Sequence, residues 1–77
     1  HFFFGNAVMA RLKTQFGARL KLLRTEKGLT QEQLADATDL TIESISNIER
    51  GIFGPRFDNL ERIAAALDMQ VQQLFEF

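Results

Sequence analysis

Residues 28–51 read GLTQEQLADATDLTIESISNIERG and contain start and stop signals for two short helices. Thr30 and Gln33 stand three positions apart, the spacing of a capping box, in which each side chain accepts a hydrogen bond from the other residue's backbone N–H. A helix is therefore predicted over about residues 31–38, with Leu34 on its inner face.

A second short helix is predicted almost at once. Thr41 is a residue type that caps helix starts, and Gly51 is a type that stops helices. Between them, Ile45 and Ile48 recur at helical spacing. The second helix is therefore expected to run from its cap at Thr41 through about Arg50.

The connection between these two helices is too short to fold them back antiparallel, so they should cross steeply. Asp39 is one of the few non-glycine residue types that tolerate a left-handed turn, and Leu40 can anchor that turn in the core. Ala35 is small where two helix backbones need to approach closely. These features predict a helix-turn-helix, which leaves one face of its second helix free to enter the major groove of DNA.

The flanking sequence predicts three more helices. The first extends from about Thr14 to Lys27, the fourth spans about residues 57–67, and a short fifth follows residue 70. Their inner faces are expected to consist of Phe16, Leu20 and Leu23, then Phe57, Leu60, Ile63, Ala64 and Leu67, then Val71, Leu74 and Phe75. Because no segment alternates with a period of two residues, the predicted fold class is all-α, with five helices.

Residues 1–10, HFFFGNAVMA, show no helical period. Two origins remain open. The segment is either a native apolar arm that packs on the domain or on a partner chain, or the remnant of an expression tag, with Met9 as the natural initiator. The predicted boundaries are therefore an arm or remnant at 1–10 and a helix-turn-helix domain at 11–77.

With 77 residues, the chain is long enough for one small domain with a thin core. It has no cysteine and one histidine, His1, which nearly excludes thiolate chemistry, histidine-based metal sites and the usual nucleophile–histidine pairs. No apolar run approaches the roughly 20 residues of a membrane-spanning helix, and no signal peptide is visible. We therefore expect a cytoplasmic binding module without cofactor, metal or membrane partner, and not an enzyme.

Charge is unevenly distributed, although the net charge is only −1. Residues 11–27 contain six basic side chains and one acidic one, whereas residues 28–77 contain three basic and nine acidic ones. Such an asymmetry can present a basic face to a polyanion. Helix surfaces are normally charged, however, and charge alone favours that plainer interpretation.

Three stretches carry a family resemblance: GLTQEQLA at 28–35, SISNIERG at 44–51 and LERIAAAL at 60–67. In order and spacing they closely resemble the Cro/C1-type (XRE family) helix-turn-helix repressors, over about residues 16–75. The resemblance implies a compact five-helix, lambda-repressor-like domain that binds double-stranded DNA as a dimer and controls transcription. Small relatives include phage repressors, restriction-modification controller proteins and antitoxins.

The resemblance also implies roles for individual residues. Base edges would be contacted from the outward face of the third helix by Ile42, Glu43, Ser46 and Asn47. The DNA backbone would be contacted by Gln31, Thr41, Ser44, Arg50 and Arg56. Gln31 would also brace the third helix, and Arg24 and Glu49 would form an ion pair between the first and third helices.

Several residues depart from the family pattern: Asp39 replaces the commoner glycine of the turn, Arg56 and Gln70 replace small caps, and Ile52 and Phe53 stand where polar or basic residues are frequent. Two further departures lie on the base-reading face. Ile42 stands where relatives often carry a polar base-reader, and it could meet the apolar methyl group of thymine. Glu43 could accept a hydrogen bond from the amino group of cytosine, or it could only repel phosphates. These departures leave the operator sequence open.

One recognition helix reads only a few base pairs, so specific binding is expected from a homodimer on an inverted repeat. The candidate interface consists of apolar residues that so small a domain need not bury: Ile52, Phe53, Val71, Phe75 and Phe77. Val71 and Phe75 could instead complete the core under the fifth helix. The rival hypothesis is an antitoxin or adaptor that binds another protein, and the acidic balance of residues 28–77 slightly favours it.

Overall fold

The computed structural model describes the backbone of residues 2–77 and the side chains of residues 11–77. Within this part of the chain there are four α-helices, one 3-10 helix and no β-strand. The elements are α1 (Phe2–Glu26), α2 (Gln31–Thr38), α3 (Ile42–Glu49), α4 (Phe57–Ala66) and a 3-10 helix (Val71–Phe75). The all-α prediction is confirmed. The predicted fifth helix is present as a 3-10 helix of 5 residues.

The start of α2 follows directly from the sequence. Thr30 Oγ1 accepts a hydrogen bond from the Gln33 N–H at 3.0 Å, and Gln33 Oε1 accepts one from the Thr30 N–H at 2.8 Å. Both halves of the capping box are therefore present, and the predicted start of α2 is confirmed.

The structure differs from the prediction at the N-terminal end, where α1 begins at Phe2 rather than near Thr14. The prediction was wrong because it required an amphipathic stripe, whereas a helix needs only residues whose backbone tolerates it, and no proline interrupts residues 2–13. All of His1 and the side chains of residues 1–10 lie outside the described residues, so the division at residue 10 stays a prediction. Although α1 has 25 residues, no helix of the described chain is apolar enough over the necessary length to cross a membrane.

One core holds the helices together. Its buried apolar side chains come from every element: Phe16, Leu20 and Leu23; Leu34 and Ala35; Ile45 and Ile48; Leu60, Ile63, Ala64 and Leu67; and Leu74. Burying each of the larger ones contributes about 1.5–3 kcal/mol. The predicted inner faces of α1, α2 and α3 are thus confirmed.

Phe57 is the exception on the predicted inner face of α4, because its side chain is 85% exposed. The physical reason is its place in the helix. Phe57 is the first residue of α4, one turn before Leu60 reaches the core, so its ring projects beyond the end of the packed layer. In the 3-10 helix, Leu74 is fully buried, Val71 is half-buried and Phe75 stays 37% exposed.

Candidate nucleic-acid interface

Residues 39–41 connect α2 to α3, and the first of them is in the left-handed conformation. Asp39 has φ 61° and ψ 30°, and its backbone N–H donates to the carbonyl of Ala35. The N–H of Leu40 donates to the same carbonyl at 3.1 Å, and the Leu40 side chain packs against the core. The predicted turn is confirmed, since aspartate is among the residues that tolerate this backbone region.

Thr41 fixes the start of α3. Its Oγ1 accepts a hydrogen bond from the backbone N–H of Ser44 at 3.0 Å and donates one to Ser44 Oγ, also at 3.0 Å. An N-cap hydroxyl of this kind typically contributes about 1 kcal/mol. The cap fixes where α3 begins, and the burial of Ile45, Ile48 and Glu49 determines which of its residues face outward.

The two faces of α3 differ in accessibility. The face against the body of the domain consists of the buried residues Ile45, Ile48 and Glu49. The four residues predicted to contact bases retain accessible surface: Ile42 and Glu43 are exposed, and Ser46 and Asn47 are half-buried. Ile42, the one large apolar residue among them, is 46% exposed. Accessibility therefore permits contact from all four.

A buried ion pair joins α1 to α3. Arg24 Nε lies 2.5 Å from Glu49 Oε2, and Arg24 Nη2 lies 3.0 Å from Glu49 Oε1. Arg24 Nη1 also donates to the carbonyl of Leu29 at 2.7 Å, and Gln31 Nε2 donates to Glu49 Oε1 at 3.0 Å. The predicted pair is present, and it belongs to a network that also reaches the start of α2.

The network is complete in its hydrogen bonds. Among the described residues, no buried side-chain nitrogen or oxygen lacks a partner. Hydrogen bonding to Glu49 raises the pKa of the Arg24 guanidinium, and burial opposes this effect. A raised folded-state pKa contributes stability that is fully present below the unfolded value and is lost only as pH rises through the folded value. The arginine therefore stays charged throughout the neutral range.

Gly17 also lies at the contact between α1 and α3, and the sequence did not reveal it. A Cβ atom at Gly17 would lie 2.3 Å from the carbonyl oxygen of Ile48 and 2.7 Å from that of Glu49. The backbone of α1 therefore lies directly against the end of α3. Glycine inside a helix costs about 1 kcal/mol relative to alanine, and that cost is the signal that could have revealed a close approach.

Basic side chains flank α3 at its end and beyond it. Arg50 is exposed, and its Nη1 lies 3.5 Å from Asn47 Oδ1. Arg56 is exposed at the start of α4. Lys13 Nζ reaches the carbonyl of Ile52 at 3.4 Å, which places a cation from α1 beside the loop that follows α3. Lys13 was not among the predicted site residues, because only the fold brings it there.

The five predicted interface residues keep apolar surface in three places. Ile52 and Phe53 are exposed on the loop between α3 and α4. Val71 and Phe75 line one groove, together with Phe57. Phe77 lines a different groove, although its ring centroid is only 6.2 Å from that of Phe75. Phe75 also packs on Phe16 at 5.1 Å, so it serves the core and the surface together.

The fold and the accessible face of α3 define a helix-turn-helix DNA-binding domain. The helix-turn-helix family model HTH_3 matches residues 20–74. The chain therefore belongs to the HTH_3 (XRE) helix-turn-helix family, whose members are DNA-binding transcription regulators. The resemblance to Cro/C1-type repressors is confirmed.

Individual relatives agree with this membership. The immunity repressor protein of Bacillus phage phi105 is 40% identical over 58 residues, which are 75% of this chain and 40% of that repressor. The control protein C.MunI of a Mycoplasma species is 41% identical over 68 residues, which are 87% of this chain and 92% of that protein. The crystal structure of the restriction-modification controller protein C.AhdI from Aeromonas hydrophila matches with a TM-score of 0.80 and 40% identity, over 82% of this chain and 96% of that one. The chain thus spans less than half of the phage repressor and most of either controller protein.

Proposed function

We propose that this transcription regulator acts as a homodimer on an inverted-repeat operator, each copy placing α3 in the major groove. The observation that carries the proposal is the asymmetry of α3. Its inner face is fixed by a buried ion pair, while Ile42, Glu43, Ser46 and Asn47 remain accessible on the other side. A rigidly held helix with an accessible edge is what major-groove reading requires.

Base discrimination is assigned to that accessible edge. Asn47 can form a bidentate pair with adenine, and Ile42 can pack against a thymine methyl group. Glu43 can accept a hydrogen bond from the amino group of cytosine, and Ser46 can contact any base. Contacts of this kind specify sequence, whereas phosphate contacts do not.

Contacts with phosphates are proposed to fix the position of the protein along the duplex. The residues are Gln31, Thr41, Ser44, Arg50 and Arg56. Gln31 gives one amide hydrogen to Glu49 and keeps a second donor for a phosphate. The starts of α2 and α3 support the same role, because a helix N-terminus attracts anions.

Dimerisation supplies a second recognition helix for the second half-site of the operator. Two half-sites lie about 34 Å apart along B-form DNA, and a twofold protein dimer matches that spacing. The exposed apolar residues Ile52, Phe53, Phe75 and Phe77, with the half-buried Val71, are available for the interface. Relatives named as an immunity repressor and as a control protein support a role in repression or control of transcription.

A salt titration tests the DNA-binding part of the proposal. Affinity for duplex DNA should fall linearly on a logarithmic plot against salt, with a slope of about −0.9 for each phosphate contacted. Arg50→Ala should reduce the magnitude of that slope by about 1, whereas Arg62→Ala, an exposed arginine of α4 with no assigned contact, is the matched control. Weak binding to DNA with an affinity that does not depend on salt concentration would favour the adaptor hypothesis instead.

A further inference from the structure

The side chain of Phe57 projects from the domain beside an apolar groove. The ring is 85% exposed, more than any other large apolar side chain among those described. The groove has a volume of about 220 Å³, and Leu12, Phe16, Pro55 and Phe75 form much of its wall. A protruding ring and a depression lined by apolar residues thus share one patch of surface.

We infer that Phe57 is the anchor of a twofold dimer and that its ring enters this groove on a second copy of the chain. The inference deepens the proposed homodimer and rests on it. A twofold interface is self-complementary, so the same patch must supply both the projecting group and the pocket that receives it. The patch around Phe57 meets that requirement without any other partner.

Charge around the patch is also self-complementary. Lys13 lines the groove on one side of Phe57. Asp58 and Glu61 line a second groove, which Phe57 also borders, together with Val71 and Phe75. A twofold axis that passes near Phe57 brings Lys13 of one copy towards Glu61 of the second copy, and the reverse pair follows by symmetry. Opposite charges at the rim of an apolar centre favour this orientation over others.

The available area suits a dimer of ordinary size. A phenylalanine can bury roughly 150–250 Å², so the exposed ring of Phe57 supplies on the order of 150 Å². Leu12 is 44% exposed and Phe75 is 37% exposed, and both line the same groove. Together they supply a substantial part of the about 800 Å² that each partner of a standard interface buries, and the charged rim adds to it.

Sedimentation equilibrium of the full chain without DNA tests the anchor. Phe57→Ala should raise the dimer dissociation constant by roughly 100-fold or more, because a buried aromatic anchor is lost twice per dimer. The thermal midpoint extrapolated to low protein concentration should not change, because the ring lies outside the core. Lys21→Ala is the control, since Lys21 is exposed on α1 and lines neither groove beside Phe57, so its loss should leave the constant unchanged.

A charge exchange tests the orientation. Lys13→Glu alone and Glu61→Lys alone should each weaken self-association, because each places like charges opposite one another. Mixed in equal amounts, the two variants should form a heterodimer that approaches wild-type affinity. Failure of the mixture to recover would overturn the arrangement.

Other outcomes separate this inference from the proposed function. A Phe57→Ala protein that dimerises as well as the wild type overturns the anchor and leaves the homodimer intact. A wild type that stays at 8.8 kDa at high micromolar concentration overturns both the anchor and the homodimer. Binding of the same protein to a duplex with a single half-site shows separately whether α3 still reads DNA.

Discussion

Glu49 contacts three segments of the chain at once. Its carboxylate accepts hydrogen bonds from Arg24 in α1 and from Gln31 in α2, while its own backbone belongs to α3. Both charged side chains of the pair are almost inaccessible to solvent, at 9% for Arg24 and 2% for Glu49. Removing one partner would strand the other charge away from water, which is costly.

Glu49→Ala should therefore lower the free energy of unfolding by about 3–5 kcal/mol, as urea denaturation would measure. The matched control is Glu76→Ala, which removes a carboxylate that lies 3.6 Å from Arg19 but is itself 64% exposed. Exposed pairs contribute about 0–1 kcal/mol, so the control should change little. Equal small losses in both variants would contradict the account of a buried network.

Gly17 makes a second residue-scale prediction. Gly17→Ala should destabilise the domain by at least about 1–3 kcal/mol, because the added methyl group overlaps the carbonyl oxygens of Ile48 and Glu49 and forces α1 away from α3. Gly54→Ala is the control, since a Cβ there meets nothing within 4 Å. Thermal denaturation of the two variants checks this, and equal midpoints would rule out the close approach.

At the residue scale, prediction from sequence succeeded where local chemistry decides. The left-handed conformation of Asp39 and the cap at Thr41 depend on neighbouring backbone, and both were predicted. Gly17, Phe57 and Lys13 were missed or misassigned because their roles depend on chain segments far away. Periodicity placed Phe57 on the core side of α4, but it cannot show how far the core extends along that helix.

Among the helices, α3 carries both residues proposed to read bases and a residue proposed to contact the DNA backbone. Asn47 belongs to the accessible edge that we propose reads bases, and Arg50 belongs to the end that we propose contacts the DNA backbone. The two side chains are only 3.5 Å apart, at the limit of a hydrogen bond, so either can be removed with little effect on the other. Their loss should have different signatures.

Asn47→Ala should relax specificity at one base pair, reducing discrimination there by about 1–3 kcal/mol. Arg50→Ala should instead weaken binding to all sequences similarly and reduce the salt slope by about 1. Competition assays with single-base operator variants separate these outcomes. If both variants bind the operator as well as the wild type does, α3 is not the reading element.

The elements themselves were predictable to different degrees. The capping residues Thr30 and Thr41 predicted where α2 and α3 begin, because an N-cap side chain accepts a hydrogen bond from a backbone N–H within three residues. The start of α1 was not predictable, because apolar spacing only reports where a helix packs and not where it begins. The 3-10 form of residues 71–75 was not predictable either, since apolar spacing does not separate it from a short α-helix.

At the scale of the whole molecule, charge distribution agrees with the proposed orientation on DNA. The net charge is only −1, so general attraction to a polyanion is weak and the placement of individual cations matters. Arg50 and Arg56 lie at the end of α3 and at the start of α4, and they flank the loop that joins these two helices. Lower affinity at higher salt is therefore expected to depend on these few contacts.

We propose that the accessible edge of α3 reads DNA in a twofold dimer. The most direct test is selection of bound sequences from a random duplex pool, performed in parallel with wild type and Asn47→Ala. We expect the wild type to enrich an inverted repeat whose half-sites lie about one helical turn apart, and the variant to lose preference at one symmetric position in each half-site. No enrichment, or identical enrichment by both proteins, would contradict the claim.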